Sequence, residues 1–261
     1  PGVEKIDAFT DFQQLLGVPP QWPPQGTLPG ETVFNQVGCG ACHIATWTTG
    51  LLSPQPNNGA GGAAFAVLAN KTIHPYSDWL LHDIGTGDHI VFGDATGLEF
   101  RTTPLWGLRQ RVALLHTGCV SLGSASTVEG FVPVIDAHGC VPAASCEFSP
   151  PGSQCEAQAS YAAFNALAAA QRTQLLDFLG SLGRKLFDSA DSWPGDLRIN
   201  LDDWFFMTYC IANGGPGRDP EVVNPSIPQL HDCRLGFDSD LDGDTDLRDV
   251  SDFLILFNPD E

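Results

Sequence analysis

Two cysteines and a histidine stand at residues 39–43 in the pattern C-x-x-C-H, a spacing typical of covalent haem attachment. In such a motif the thiols of Cys39 and Cys42 add across the haem vinyl groups, and the imidazole of His43 binds the iron. The alternatives are a zinc site, which needs a second Cys/His pair at ligand spacing, and a thioredoxin-like motif, which needs a βαβ unit. Residues 30–60 show neither pattern, so the motif predicts one covalent haem c.

A second group of metal-binding residues lies near the end of the chain. Acidic residues occupy positions 1, 3, 5, 9 and 12 of a twelve-residue loop, and Gly243 at position 6 permits its sharp turn. Oxygen ligands suit a hard cation, so the spacing predicts an EF-hand-type calcium site, with a solvated acidic loop as the alternative. The predicted ligands are Asp238, Asp240, Asp242, Asp246 and Asp249 through their carboxylates and Asp244 through its carbonyl.

The haem motif leaves the second axial ligand of the iron open. Any single histidine is more often a surface or structural residue than an iron ligand. The lone methionine, Met207, lies in the C-terminal segment and is a poor candidate. The remaining candidates are His74, His82, His89, His116, His138 and His231.

Helical segments are expected to position these residues. Residues 32–37 carry apolar side chains on one helical face and predict a helix that delivers Cys39 to the haem. Residues 156–183 form the clearest helical region, and no alternating strand pattern rivals it. The face of this region that is predicted to be buried contains Leu175, Leu176, Leu179 and Leu182.

The composition changes sharply after Gly183, from a helix rich in Ala and Leu to an Asp-rich segment. A stretch rich in Pro and Gly interrupts the chain in a similar way before the haem motif. We therefore predict a linker or the end of a preceding domain at residues 1–30, a haem domain at 31–185 and a calcium-binding module at 186–261.

Residues 199–210 resemble the second half of the calcium-binding unit, with Asn200 and Asp203 at its late ligand positions, although Trp193-Pro194 breaks the spacing upstream. Residues 187–258 together resemble two tandem dockerin-type repeats, that is, a small helical EF-hand-like module. The resemblance implies a disulfide between Cys210 and Cys233 and a cohesin-like or scaffold partner. Degenerate repeats of this kind often only stabilise the protein that carries them.

The charge and the cysteine content restrict the partners and the compartment. The chain of 261 residues carries 12 Lys and Arg against 31 Asp and Glu, and the net charge of -19 argues against nucleic acid and anionic membranes as partners. A basic redox partner fits better. Six cysteines besides the haem pair suggest up to three disulfides, which indicates a periplasmic or extracellular protein. Residues 140–155, with three cysteines, are predicted to form a disulfide-stapled loop.

No apolar run is long enough to span a membrane. The chain opens at Pro1-Gly2 without a charged or apolar leader, so we expect a processed protein or a fragment.

Several segments of the chain stand in an order that is characteristic of one protein family. They are the C-x-x-C-H motif and residues 75–85 (PYSDWLLHDIG), 100–107 (FRTTPLWG), 114–118 (LLHTG), 136–139 (DAHG) and 178–182 (FLGSL). In this order they resemble the C-terminal haem domain of the di-haem oxidoreductase family, which is related to cytochrome c peroxidase and MauG. The resemblance covers residues 1–184.

The resemblance implies a mainly α fold, a class I cytochrome c-like haem domain with long loops. It implies that His43 is the proximal iron ligand and that His138 takes the distal position. It also implies that Arg101 pairs with a haem propionate and that Trp106 and Trp79 pack near the macrocycle; for both tryptophans, core filling is the alternative.

Two departures from the family bear on function. Family members carry a second C-x-x-C-H motif, whereas this chain has one, so peroxidase-like chemistry would need a second haem domain from another segment or chain. Thr117 and Cys119 also replace the acid and the base that usually follow the histidine at position 116. We therefore expect an electron relay. The alternative is a haem-bearing component of an extracellular assembly, docked through the dockerin-like repeats and without peroxidase activity.

Overall fold

The computed structural model describes residues 16–50, 68–122, 128–140, 153–187, 201–214, 235–241 and 245–257, together with residues 9, 12, 13, 198 and 199. The helices within these ranges are α1 (Pro29–Gln36), α2 (Val132–His138), α3 (Gln158–Asn165), α4 (Ala169–Ser181), α5 (Leu201–Gly214) and α6 (Leu247–Leu256). Short 3₁₀ turns lie at Cys39–Ala41, Leu108–Gln110 and Val128–Phe131.

Three small antiparallel ladders accompany the helices, so the fold mixes helix with short strands. They pair β1 (Trp47–Thr48) with β2 (Thr72–Ile73), β3 (Leu81–His82) with β4 (Phe100–Arg101), and β5 (Ala113–Leu114) with β6 (Val120–Ser121). A strand of two residues is too short to show an alternating pattern, which is why the sequence did not predict these ladders.

Helix α1 delivers the haem motif, as predicted, but it begins at Pro29 rather than at Thr32. Proline suits the first turn of a helix because its fixed φ is helical and its missing N–H would have no partner there. The helix is followed by Gly38, whose φ of 92° lies in the left-handed region that favours glycine. The chain then turns directly into the Cys39–Ala41 segment.

The long helical region of the sequence is divided into α3 and α4. The break falls at residues 166–168, where the side chain of Gln171 accepts a hydrogen bond from the backbone N–H of Ala168 and so caps the start of α4. The predicted buried face is confirmed, because Leu175, Leu176 and Leu179 of α4 are buried, as is Leu182 directly after it.

Helices α1 and α4 cross in close contact and form the centre of the first hydrophobic core. Gly30 makes the crossing possible, because a Cβ at this position would overlap the carbonyl oxygen of Gln174. Phe178 of α4 packs its ring 5.3 Å from that of Phe34 and 5.4 Å from that of Tyr76. This aromatic cluster lies directly beneath the haem motif, since the ring of Phe34 also contacts His43.

Part of the predicted linker packs against the end of α4. Gln21 forms an isolated β-bridge with Leu182, and the backbone N–H of Trp22 donates to the carbonyl of Ser181. The residues just before α1 therefore contribute to the packing of the haem motif region.

A second buried cluster is built from the C-terminal helices. Met207 of α5 and Phe253 of α6 are fully buried in it with Phe187 and Phe237. Met207 thus has a packing role, which agrees with its exclusion as an iron ligand. The existence of two separate clusters supports the predicted module boundary near residue 186, which stays a prediction.

None of the helices in the described parts of the chain is long and apolar enough to cross a membrane.

Candidate haem site

The imidazole of His43 is held with one ring nitrogen already engaged. Its Nδ1 lies 2.9 Å from the carbonyl oxygen of Tyr76 and donates a hydrogen bond to it in the neutral ring. Tyr76 has a φ of 51°, an uncommon conformation for a residue with a side chain. This contact orients the ring and leaves Nε2 as the atom that can bind a metal.

His138 repeats this arrangement close to His43. It is the last residue of α2, and its Nδ1 lies 2.7 Å from the carbonyl oxygen of Val134, one helical turn earlier. The His43 and His138 ring centroids are 6.4 Å apart, with an angle of 51° between the ring planes. Two imidazole nitrogens at about 2.0 Å from one metal ion would place their ring centroids roughly 6 Å apart.

Burial keeps both imidazoles neutral. Burial, with a smaller contribution from the neighbouring His138, lowers the pKa of His43 to about 4. Burial also lowers the pKa of His138. At neutral pH both rings therefore have an unprotonated Nε2, which is the form that coordinates a metal ion.

The thiols of the motif are the free cysteines among the described residues. Cys39 and Cys42 are both unpaired, and burial raises the pKa of Cys39 to about 11 and also raises that of Cys42. The other described cysteines, Cys119, Cys140, Cys155 and Cys210, are all in disulfides.

These donors fit a haem c. Two free thiols at the attachment spacing adjoin His43, and His138 faces His43 at a distance that accommodates one metal ion between two imidazoles.

The other candidate histidines have different surroundings. His74 contacts the hydroxyl of Thr46, His116 stacks on Phe100 with centroids 3.8 Å apart, and His89 is exposed. His231 lies outside the described residues. Among these candidates, the structure thus brings His138, and not His74, His89 or His116, to the imidazole of His43.

Arg101 and Trp106 form a stack with Trp79. The Arg101 guanidinium carbon lies 5.7 Å from the Trp79 ring centroid, and the Trp79 and Trp106 rings meet edge to face at 6.2 Å. Backbone contacts tie this stack to the haem motif, because the N–H of Asp78 donates to the carbonyl of Cys42. The propionate contact of Arg101 stays a prediction.

A histidine held between two carboxylates lies beside the motif and was not anticipated from the sequence. His82 Nε2 is 2.8 Å from Asp78 Oδ2, and its Nδ1 is 2.8 Å from Glu156 Oε2. Burial alone would lower the pKa of His82, but hydrogen bonds and attraction to the two carboxylates give it a net increase. The same Nδ1 lies 3.8 Å from Cys42 Sγ, so the imidazole that the two carboxylates hold adjoins the attachment thiol.

Two backbone carbonyls were also missed by the sequence reasoning. The acceptor for His138 could have been found, because Val134 precedes it by four residues in a helix. The acceptor for His43 could not, since Tyr76 is distant in sequence and reaches the ring only through the fold.

The predicted calcium loop brings three of its carboxylates together. The ligand atoms of Asp238, Asp240 and Asp249 lie within 4.8 Å of one another, and burial raises the pKa of Asp249. Asp246 instead caps α6, where its carboxylate accepts a hydrogen bond from the backbone N–H of Arg248. Asp242 and Asp244 lie outside the described residues. So do Trp193, Pro194 and Asn200 of the first repeat. Converging carboxylates, two of them buried here, are donors that fit calcium.

The chain matches the model of one protein family, described as "Di-haem oxidoreductase, putative peroxidase", over residues 14–182. Neither a curated protein nor a solved structure matches it.

Proposed function

The chain belongs to the di-haem oxidoreductase family, and from this we propose that it is an electron-transfer domain with one covalent haem c. Cys39 and Cys42 would attach the haem, and His43 and His138 would bind its iron. When bound, this group supplies a one-electron redox couple.

The facing pair of imidazoles is the observation that carries the proposal. His43 and His138 each have Nδ1 engaged by a backbone carbonyl, and their ring centroids are 6.4 Å apart. Two histidine ligands complete the coordination of the iron, so peroxide has no open position. A His/Met pair raises the potential of a haem, so a bis-His pair is expected to hold it lower.

The surrounding residues fix the orientation of the two imidazole rings and keep them unprotonated. The carbonyls of Tyr76 and Val134 hold the tautomers, and burial keeps both pKa values low. His82, which Asp78 and Glu156 hold between their carboxylates, adds a polar contact beside the Cys42 sulfur.

We also propose an exported protein that works with a basic redox partner or with a second haem domain. The net charge of -19 favours a partner of opposite charge, and the disulfides favour an oxidising compartment. Peroxidase-like catalysis in the family sense would belong to the assembly with the second haem, and this chain would relay electrons to it.

The direct test is the low-temperature EPR and optical spectrum of the haem-loaded, oxidised chain, with and without peroxide. A low-spin bis-imidazole signal that peroxide leaves unchanged is the expected result. A high-spin signal that peroxide converts would show an open iron and would overturn the relay proposal.

For the C-terminal module we propose that Asp238, Asp240 and Asp249 bind calcium together with Asp242, Asp246 and the carbonyl of Asp244. Converging carboxylates, two of them buried, repel one another unless a cation neutralises them. The ion would therefore stabilise the fold of α5 and α6.

Removal of calcium is expected to destabilise this module. At a calcium concentration roughly 1,000 times the Kd, bound ion contributes about 4 kcal/mol to the free energy of unfolding. Thermal unfolding followed by the fluorescence of Trp204, which packs against Phe253, should shift to lower temperature with chelator. Asp249→Asn should abolish the shift. Asp252→Asn, the same change at an exposed site one turn later, should retain it, and equal behaviour of the two variants would contradict the calcium site.

One observation favours the alternative of an assembly component docked through the repeats. Helix α6 exposes a run of large apolar side chains, with Leu254 56% and Ile255 77% accessible. Large apolar patches on a surface often mark interaction sites. If the native complex keeps its size after calcium is removed and in the variant Leu254→Ser/Ile255→Ser, the repeats serve only as stabilising elements.

A further inference from the structure

The distal histidine stands at the end of a helix that packs against the first hydrophobic core. Helix α2 is short, and His138 is its last residue. Phe131 anchors the start of this helix in the core, where it is 2% exposed. At the other end Ala137 is fully buried, and the residues that follow His138 add further contacts.

The first of these residues packs against a neighbouring helix. A Cβ on Gly139 would overlap the ring of Tyr161 in α3, so only glycine allows α2 to end this close to α3. The contact limits movement in one direction but forms no bond.

The second contact is covalent. Cys140, two residues after His138, forms a disulfide with Cys155. Its sulfur also packs against Gly85, where a Cβ would overlap it. Both cysteines have positive φ values, 56° and 49°, a conformation that costs energy for residues with a side chain and that must be held by the surroundings.

The Cys155 side of the bridge is itself fixed by a buried carboxylate. Asp83 is 4% exposed, and its Oδ1 accepts hydrogen bonds from the Ser153 hydroxyl and from the N–H of Gly85. Its Oδ2 accepts one from the N–H of Gln154 at 2.7 Å. The N–H of Glu156 donates to the backbone carbonyl of Asp83 at 2.9 Å. We call these contacts the Asp83 clamp.

The clamp leads back to the other side of the haem site. Glu156 pairs with His82, and His82 pairs with Asp78, whose backbone N–H donates to the carbonyl of Cys42. The distal end of α2 and the proximal haem motif are thus joined through one disulfide and a short chain of hydrogen bonds.

We propose that the Cys140–Cys155 disulfide, seated on the Asp83 clamp, is the device that positions His138 as distal ligand and keeps the sixth coordination position closed. Its members are positioning residues, because none of them touches the iron. The inference rests on the proposed bis-His site. Without the bridge, the end of α2 loses its covalent tie and keeps only noncovalent packing, including that of Ala137 and Gly139, so His138 exchanges with added ligands more readily.

The test is cyanide binding to the oxidised, haem-loaded chain in the variant Cys140→Ser/Cys155→Ser. An added ligand must wait for the fraction of molecules in which His138 is detached. We expect the observed binding rate to rise roughly tenfold or more. A change of this size corresponds to losing part of the stabilising free energy that a disulfide typically contributes. A high-spin fraction should appear in the EPR spectrum.

Two further variants distinguish a role of the disulfide in positioning His138 from an effect on the overall stability of the protein. Cys210→Ser/Cys233→Ser removes cysteines of the C-terminal module and should leave both the cyanide rate and the EPR signal unchanged. Asp83→Asn keeps the disulfide but weakens the clamp, so it should give a smaller increase in rate; it also serves if the double-serine variant does not accumulate.

The outcomes are distinct. A wild-type chain that is already high-spin overturns the bis-His proposal and this inference with it. A low-spin wild type whose cyanide rate is matched by both the double-serine variant and Asp83→Asn overturns the positioning role alone. A rise in rate in these two variants, without one in the Cys210→Ser/Cys233→Ser control, supports it.

Discussion

Replacement of His138 by alanine is expected to convert the oxidised haem from low spin to high spin and to open its iron to added ligands. If His138 binds the iron as proposed, an added ligand can bind to the wild type only when this imidazole is detached. We take the detached state to be populated at roughly 0.1–10% of the wild type. Removal of the competing His138 imidazole then raises the apparent cyanide affinity roughly tenfold to a thousandfold. The measurements are EPR spectra and cyanide titration of the haem-loaded chain, and the variant should also react with peroxide.

The control is His74→Ala. His74 contacts the hydroxyl of Thr46 and not the imidazole of His43, so its removal should leave the spin state and the cyanide affinity unchanged. If instead His138→Ala retains the low-spin spectrum of the wild type, another residue supplies the distal ligand. The His138 variant also defines the fully open limit against which the disulfide variant is compared.

The second large effect is expected from Phe178→Ala, which should reduce the free energy of unfolding of the haem domain by about 3–5 kcal/mol. Phe178 is 1% exposed and packs against the rings of Phe34 and Tyr76. Its removal leaves a cavity under the two residues that orient His43, because Phe34 contacts the His43 ring and Tyr76 accepts its hydrogen bond. Denaturant unfolding, followed through the haem absorbance, measures the change.

Two substitutions of the same kind provide the comparison. Phe92 is 85% exposed, and Phe92→Ala should change the stability by less than about 0.5 kcal/mol. Phe253→Ala removes a fully buried ring from the C-terminal cluster and should affect the Trp204 fluorescence transition more than the haem transition. A Phe178→Ala variant as stable as Phe92→Ala would contradict the packing described for α1 and α4.

Local sequence patterns predicted those features of the structure that depend on residues close together in the sequence. The helix before Cys39 and the buried leucines of α4 follow from helical periodicity, and both are confirmed. The disulfide of residues 140–155 agrees with the predicted stapled loop, although the choice of Cys155 as the partner of Cys140 required the fold. The short strands and the division between α3 and α4 were not predicted, because neither produces a periodic pattern.

The sequence by itself determined that this chain carries a C-x-x-C-H motif and a loop of acidic residues, because the chemistries that these motifs predict require fixed spacings of a few residues. The tertiary structure decided which histidine faces His43 and which carbonyls hold the two rings. It also decided that Asp78, His82 and Glu156 meet beside Cys42. Residues such as Tyr76 and His138 are tens of residues from the motif, and only the packing of α1, α2 and α4 brings them within contact distance.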